Sequence, residues 1–185
     1  MLQTDNSPQT KTILFQNVRS LHLHIDDVQS DYNIQKADVN VFVESKFCLS
    51  DRDDTDQLRE FTLYRNDFNQ SNRRTCYGTA VYIRNDLNCT KFPYRCNFNN
   101  LEIIVMVLSQ PIPNIPVIGI YCSKTKVTIS QLIDALTHLH DSVLIEPTIP
   151  TVLLGDFNID LMQANREQKA VTKYLINRQR IHSVD

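Results

Sequence analysis

An apolar, β-type run, Thr151-Val-Leu-Leu-Gly155, stops at a glycine, and an acid and an amide follow two residues apart at Asp156 and Asn158. A short apolar run bounded by such a break has the pattern of a buried strand whose end opens onto a polar crevice. If the strand continues past the glycine, alternation puts Asp156 and Asn158 on the same face. A carboxylate accepts hydrogen bonds, an amide both donates and accepts, and side by side they can hold a water against a phosphate. Gly155 lets the backbone bend or approach a ligand closely. Asp, Asn and Gly also favour ordinary turns, so the four letters alone leave a plain polar turn equally open.

The rest of the chain repeats the theme of strands that end in polar residues. Residues 1–10 are polar, contain Ser7-Pro8, and read as a disordered lead-in to one domain over 11–185. Thr12–Asn17 reads as a strand, 21–32 as a short helix with Leu21, Ile25 and Val28 on one face, and Asp38–Glu44 as a second strand. This strand–helix–strand order predicts a crossover with parallel or mixed pairing. Further strands are predicted at 61–64, 78–84, 101–108 and 115–121, the last two joined as a hairpin by a Pro-rich link. Leu132, Leu136 and Leu139 mark a helix over 128–143, capped by Thr128 or Ser130. Another helix is expected over about 165–178. The order β-α-β-β-β-β-β-α-β-α predicts an α/β protein in which helices cover layered sheets.

At 185 residues the chain has the size of one domain with a substantial core. Its formal net charge of -2 excludes a generally basic nucleic-acid binder. A local basic patch stays open, because phosphate affinity depends on where the cations sit. Arg65, Arg73, Arg74, Arg84, Lys91 and Arg95 are its candidates. Five cysteines without a C-x-x-C pair, and no signal peptide, suggest reduced thiols in an intracellular compartment, nuclear or cytoplasmic. No Cys/His cluster has zinc spacing. No run approaches membrane-spanning length, so a membrane is not an expected partner.

Asn17 ends the first strand, Glu44 the second, Tyr121 the 115–121 strand, and Asp156 and Asn158 the last. Ligand crevices in α/β proteins form beyond the carboxyl ends of strands. Side chains converging there would make an oxygen-rich site suited to a hard divalent cation that keeps most of its waters, as magnesium does.

In this order, Asn17 in Gln-Asn-Val-Arg-Ser-Leu, Glu44 in Val-Phe-Val-Glu-Ser, the strand Gly78-Thr-Ala-Val-Tyr-Ile-Arg84, Tyr121 in Ile-Gly-Ile-Tyr-Cys, and Gly155-Asp-Phe-Asn158 resemble the endonuclease/exonuclease/phosphatase superfamily. The look is that of the nuclease domains of non-LTR retrotransposons and related mobile-element or helicase-linked proteins, over about residues 11 to 180. The resemblance implies a DNase I-like layered α/β sandwich of mixed β-sheets flanked by helices. It implies Mg2+, with Mn2+ as a substitute, bound by Glu44 with Asn17 beside it. Asp156 would activate the attacking water, Asn158 would contact the scissile phosphate, and Tyr121 would support the phosphate or leaving group. Arg73, Arg74 and Arg84 would bind substrate, DNA ahead of RNA.

The chain departs from the family in lacking a C-terminal Ser-Asp-His motif, which Ile181-His-Ser-Val-Asp185 does not supply. The resemblance therefore implies a domain truncated before its last strands, a fragment or a mobile-element-derived copy. Gln16, Arg19 and Cys122-Ser123 also differ from the family pattern and bear on the shape of the substrate groove. The implied activity is metal-assisted phosphodiester hydrolysis. The alternatives are a non-catalytic remnant or binding domain, and a phosphatase or RNase of the same fold.

Overall fold

The computed structural model describes residues 10–48, 50–52, 54, 56–66, 77–94, 96, 98, 101–109, 114–123, 127–143, 150–159 and 169–174. The elements run β1 (Ile13–Asn17), α1 (Leu21–Ser30), α2 (Tyr32–Lys36), β2 (Val39–Val43), β3 (Phe61–Asn66), β4 (Thr79–Arg84), β5 (Asn88–Phe92), β6 (Leu101–Ser109), β7 (Ile115–Cys122), α3 (Ile129–Val143) and β8 (Val152–Asp156). Residues 169–174 are helical. Residues 1–9 of the lead-in over 1–10, most of the expected 165–178 helix, and Arg73, Arg74, Arg95 and His182 lie outside the described residues.

The strands form two mixed sheets, ordered β1-β2-β4-β3 and β5-β6-β7-β8. β1 pairs with β2 in parallel, as the predicted crossover requires, and β7 pairs with β8 in parallel. β6 and β7 form the expected antiparallel hairpin, with Leu101 opposite Cys122. Alternation along each strand sends one set of side chains between the sheets and the other towards a helix. Val39, Val41, Val81, Ile104, Met106 and Val117 fill the layer between the sheets. Leu21, Val28 and Ile34 pack on Phe42, Ala80 and Tyr82 outside the first sheet. Leu132, Leu136, Leu139 and Val171 pack on Ile103, Val105, Ile118 and Ile120 outside the second. The result is the layered α/β sandwich that the sequence predicts.

Thr128 caps α3 by accepting from the Gln131 backbone N–H at 3.3 Å, while the Gln131 side chain accepts from the Thr128 N–H at 2.9 Å. This is a reciprocal capping box. The sequence reading missed two elements. The expected helix over 21–32 ends at Ser30, and Asp31 starts a second one by accepting from the Asn33 and Ile34 N–H groups at 2.7 and 3.1 Å. β5 is a polar edge strand, exposed on most of its length, so it lacks the apolar run that marks its neighbours.

Candidate active site

The two sheets bring the carboxyl ends of β1, β2, β7 and β8 to one end of the sandwich. The Asn17 side chain sits at the junction. Its Nδ2 donates to Glu44 Oε1 at 2.9 Å, at the end of β2 in its own sheet. The same Nδ2 donates to Asp156 Oδ2 at 3.0 Å, at the end of β8 in the other sheet. Asn17 Oδ1 accepts the Arg19 backbone N–H at 3.1 Å, which fixes the amide with its nitrogen towards the acids. Two carboxylates from strands in different sheets therefore face one another across a single amide group.

Backbone conformation aims these groups. Along β2, Phe42 faces the helices and Val41 faces the second sheet. Simple alternation would send Glu44 with Phe42, away from β8. Glu44 instead has φ +54°, a left-handed conformation unusual for a non-glycine residue, and its carboxylate turns back to Asn17 and Tyr121. Asp156 keeps the alternation of β8 and shares the inter-sheet face with Val152 and Leu154. The strand ends there, and Asn158 takes φ +50°. Its backbone N–H donates to Asp156 Oδ1 at 3.0 Å, and its Nδ2 donates to the Cys122 carbonyl at 2.8 Å. The expected common face for Asp156 and Asn158 is thus replaced by a turn in which Asn158 braces Asp156.

Gly155 also differs from expectation. A Cβ there would lie 2.5 Å from the Ile120 carbonyl oxygen, so the glycine serves the close approach of β8 to β7.

Tyr121 hydrogen-bonds Glu44 and stacks on Tyr77, with ring centroids 4.7 Å apart. Burial pushes its hydroxyl well above the usual tyrosine range, and the charges of Glu44 and Asp156 push it further. It therefore remains a neutral donor to the acid beside it. Burial raises the neighbouring Cys122 thiol to about 11, helped by the Asp156 charge.

The donor set suits a hard cation. The two carboxylates offer the oxygen chemistry that magnesium or manganese prefers, while the Asn17 amide, expected beside the metal, turns its nitrogen rather than its oxygen to them. Among the described residues no group of three His, Cys, Asp or Glu could hold a metal ion. That speaks against a zinc-type cage among them; a hard cation bound here would be held by Glu44, with Asp156 beside it. The Asn17 N–H group already marks where positive charge is favoured between the two acids.

The structure thus brings together Asn17, Glu44, Tyr121 and Asp156, with Asn158 behind Asp156. It removes Arg84 from the group. β4 runs antiparallel to β2, so Arg84 lies at the far end of the sheet, where its N–H donates to the Asp38 carbonyl. Its guanidinium is taken up by Glu60 Oε2 at 3.3 Å, the Gln35 carbonyl at 3.1 Å and the Phe61 ring. Arg65 donates to the Asp51 carbonyl at 2.6 Å and lies over the Phe47 ring. A cavity of about 290 Å³ opens beside Asn17, with Arg19, His24 and Asp27 in its lining. Sequence reasoning missed Tyr77 and Glu102 at this end. Only the strand-end position of Glu102, opposite Tyr121 in the β6–β7 register, could have pointed to it.

Neither a protein-family model nor a curated protein sequence matches the chain. Solved structures do resemble it. The endonuclease domain of TRAS1, a telomere-specific non-LTR retrotransposon, superposes with a TM-score of 0.68 at 14% identity, over 91% of this chain and 71% of that one. An AP endonuclease from Archaeoglobus fulgidus gives 0.62 at 16% identity, over 91% and 71%. Truncated TDP2 from Caenorhabditis elegans gives 0.59 at 15% identity, over 84% and 65%. At these identities the likeness speaks for the fold. This chain has the DNase I-like fold of the endonuclease/exonuclease/phosphatase superfamily.

Proposed function

We propose that this end of the sandwich is the centre of a metal-dependent phosphodiesterase that cleaves nucleic acid, DNA in preference to RNA. One observation carries the reading: a single amide nitrogen of Asn17 reaches both Glu44 and Asp156, across two sheets. Strand-end acids that serve only solubility have no reason to crowd together, because like charges in a partly buried place repel. When bound, Mg2+ or Mn2+ would neutralise charge developing on the phosphate.

The chain's own residues have distinct tasks. Glu44 is the ligand acid, and Asn17 sets its distance from Asp156. Asp156 is held on one oxygen by Asn17 and on the other by the Asn158 N–H, so its remaining lone pairs have a fixed direction. It orients a water for in-line attack on phosphorus and accepts its proton as the P–O bond to the leaving oxygen breaks. Tyr121 keeps its proton and donates to Glu44, which fixes the direction of that carboxylate. Arg19, beside Asn17, is positioned to meet a substrate phosphate along the adjoining cavity.

The likeness to two endonucleases supports a nucleic-acid substrate. The test is nicking of supercoiled plasmid by the purified chain, with a matched single-stranded RNA as the competing substrate. Magnesium-dependent nicking that chelator stops, and that Glu44→Ala or Asp156→Ala removes, is the expected result. Nicking that survives both substitutions and the chelator would defeat the proposal.

A further inference from the structure

Glu102 is a carboxylate only 5% exposed, between the sheets and one strand away from the acids. Burying a charged group is costly unless donors satisfy it. Glu102 Oε1 accepts the Gly78 backbone N–H at 3.1 Å, and Oε2 accepts the Thr79 hydroxyl at 3.3 Å. Thr79 opens β4 opposite Val43 of β2, and Gly78 immediately precedes it.

That point carries the site. The Gly78 carbonyl accepts the Ser45 N–H at 3.0 Å, and the Tyr77 carbonyl accepts the Lys46 N–H at 2.7 Å. These bonds hang the segment after Glu44 on the segment before β4. Glu44 and Lys46 both have positive φ, at +54° and +58°, conformations that persist only where the surroundings impose them. Gly78 has φ +71°, and a Cβ there would lie 2.5 Å from Ser45 Oγ, so the two segments are closely fitted. Tyr77, on the same segment, supplies the ring that backs Tyr121, and Tyr121 bonds Glu44.

We infer that Glu102 is a positioning residue: by clamping Gly78 and Thr79 it fixes both the left-handed turn that aims Glu44 and the Tyr77 ring that supports Tyr121. The metal consequence of this inference rests on the function proposed above, whereas the geometric consequence does not.

The experiment compares wild type, Glu102→Leu, Glu102→Gln and Thr79→Val. The leucine removes both acceptors but fills the buried space, and an apolar replacement of a buried charge is often tolerated. The glutamine keeps one acceptor and can donate to the Thr79 oxygen, since a hydroxyl also accepts. The first readout is the NMR spectrum of ring-13C tyrosine, with Tyr77 and Tyr121 identified from their Phe variants. Glu102→Leu is expected to shift both signals, Thr79→Val to shift them less, and Glu102→Gln to leave them near wild type. The second readout is Mn2+ binding followed by electron paramagnetic resonance. Glu102→Leu is expected to weaken it about tenfold or more, and Glu102→Gln by no more than about threefold.

Wild-type tyrosine signals in folded Glu102→Leu would overturn the inference. If that variant does not fold, unshifted signals in Thr79→Val would overturn it instead. Absence of Mn2+ binding in the wild type would refute the proposed metal chemistry alone, and the tyrosine spectra would still decide the positioning role.

Discussion

The two ends of the sandwich both carry charged residues at strand termini, and they treat them in opposite ways. At the far end, unlike charges meet: Lys11 bonds Asp38 at 3.2 Å, and Arg84 bonds Glu60 at 3.3 Å. Those pairs tie strand ends and loops together, and Glu60 there is also left-handed, at φ +69°. At the near end, Glu44 and Asp156 approach one another with an amide between them, and residues in left-handed conformations sit beside each acid. An end that pairs unlike charges is built for stability. An end that gathers like charges fits the proposed role of receiving something positive.

The comparison breaks most visibly in activity. Glu44→Ala and Asp156→Ala are expected to lower phosphodiester cleavage by about a thousandfold or more, the scale for groups acting on the transition state. Arg84→Ala should leave the rate within about twofold, since the group lies away from the chemistry. Single-turnover plasmid nicking measures both, and equal losses at the two ends would erase the distinction.

Stability sharpens it. Asn17→Ala removes the shared donor and leaves two acids facing one another, which should cost about 1–3 kcal/mol in the metal-free chain. Urea denaturation with chelator present measures this, and added Mn2+ should restore part of the loss. Arg84→Ala should cost about 1 kcal/mol or less, because its Glu60 partner is 66% exposed.

Alkali probes the packing around the second sheet. Burial is the main cause that raises Tyr94 to about 12, and the bond with Cys89 is the main cause that raises Tyr64 to about 12. Both values lie above that of an unfolded tyrosine, so the folded state favours the protonated form. Their contribution to stability is complete below about pH 10 and is lost as pH rises through about 12. Absorbance at the phenolate band should show these two titrating after a free tyrosine. Titration together with free tyrosine would contradict the packing described.

Much of this was legible in the sequence, for physical reasons. Apolar runs such as Val39–Val43 and Val117–Ile120 announce buried strands, and the Leu132, Leu136, Leu139 repeat announces α3. Asn17, Glu44, Tyr121 and Asp156 were visible as polar residues closing such runs. The direction of Glu44 was not, because a left-handed turn reverses the face that alternation assigns. Asn158 was misplaced for the same reason. Arg84 was misjudged because a charge at a strand end does not reveal which end of the sheet it occupies until pairing is known. Glu102 and Tyr77 matter through contacts between segments far apart in the chain, which no local pattern encodes.

In the proposed site Glu44 and Asp156 act around one cation. Calorimetric titration of Mg2+ or Mn2+ into wild type, Glu44→Gln, Asp156→Asn and the double variant tests it directly. The account predicts one site, weakened by either single change, with the double variant losing much less than the two single losses added together. Two changes whose effects simply add, or a site untouched by either, would contradict it.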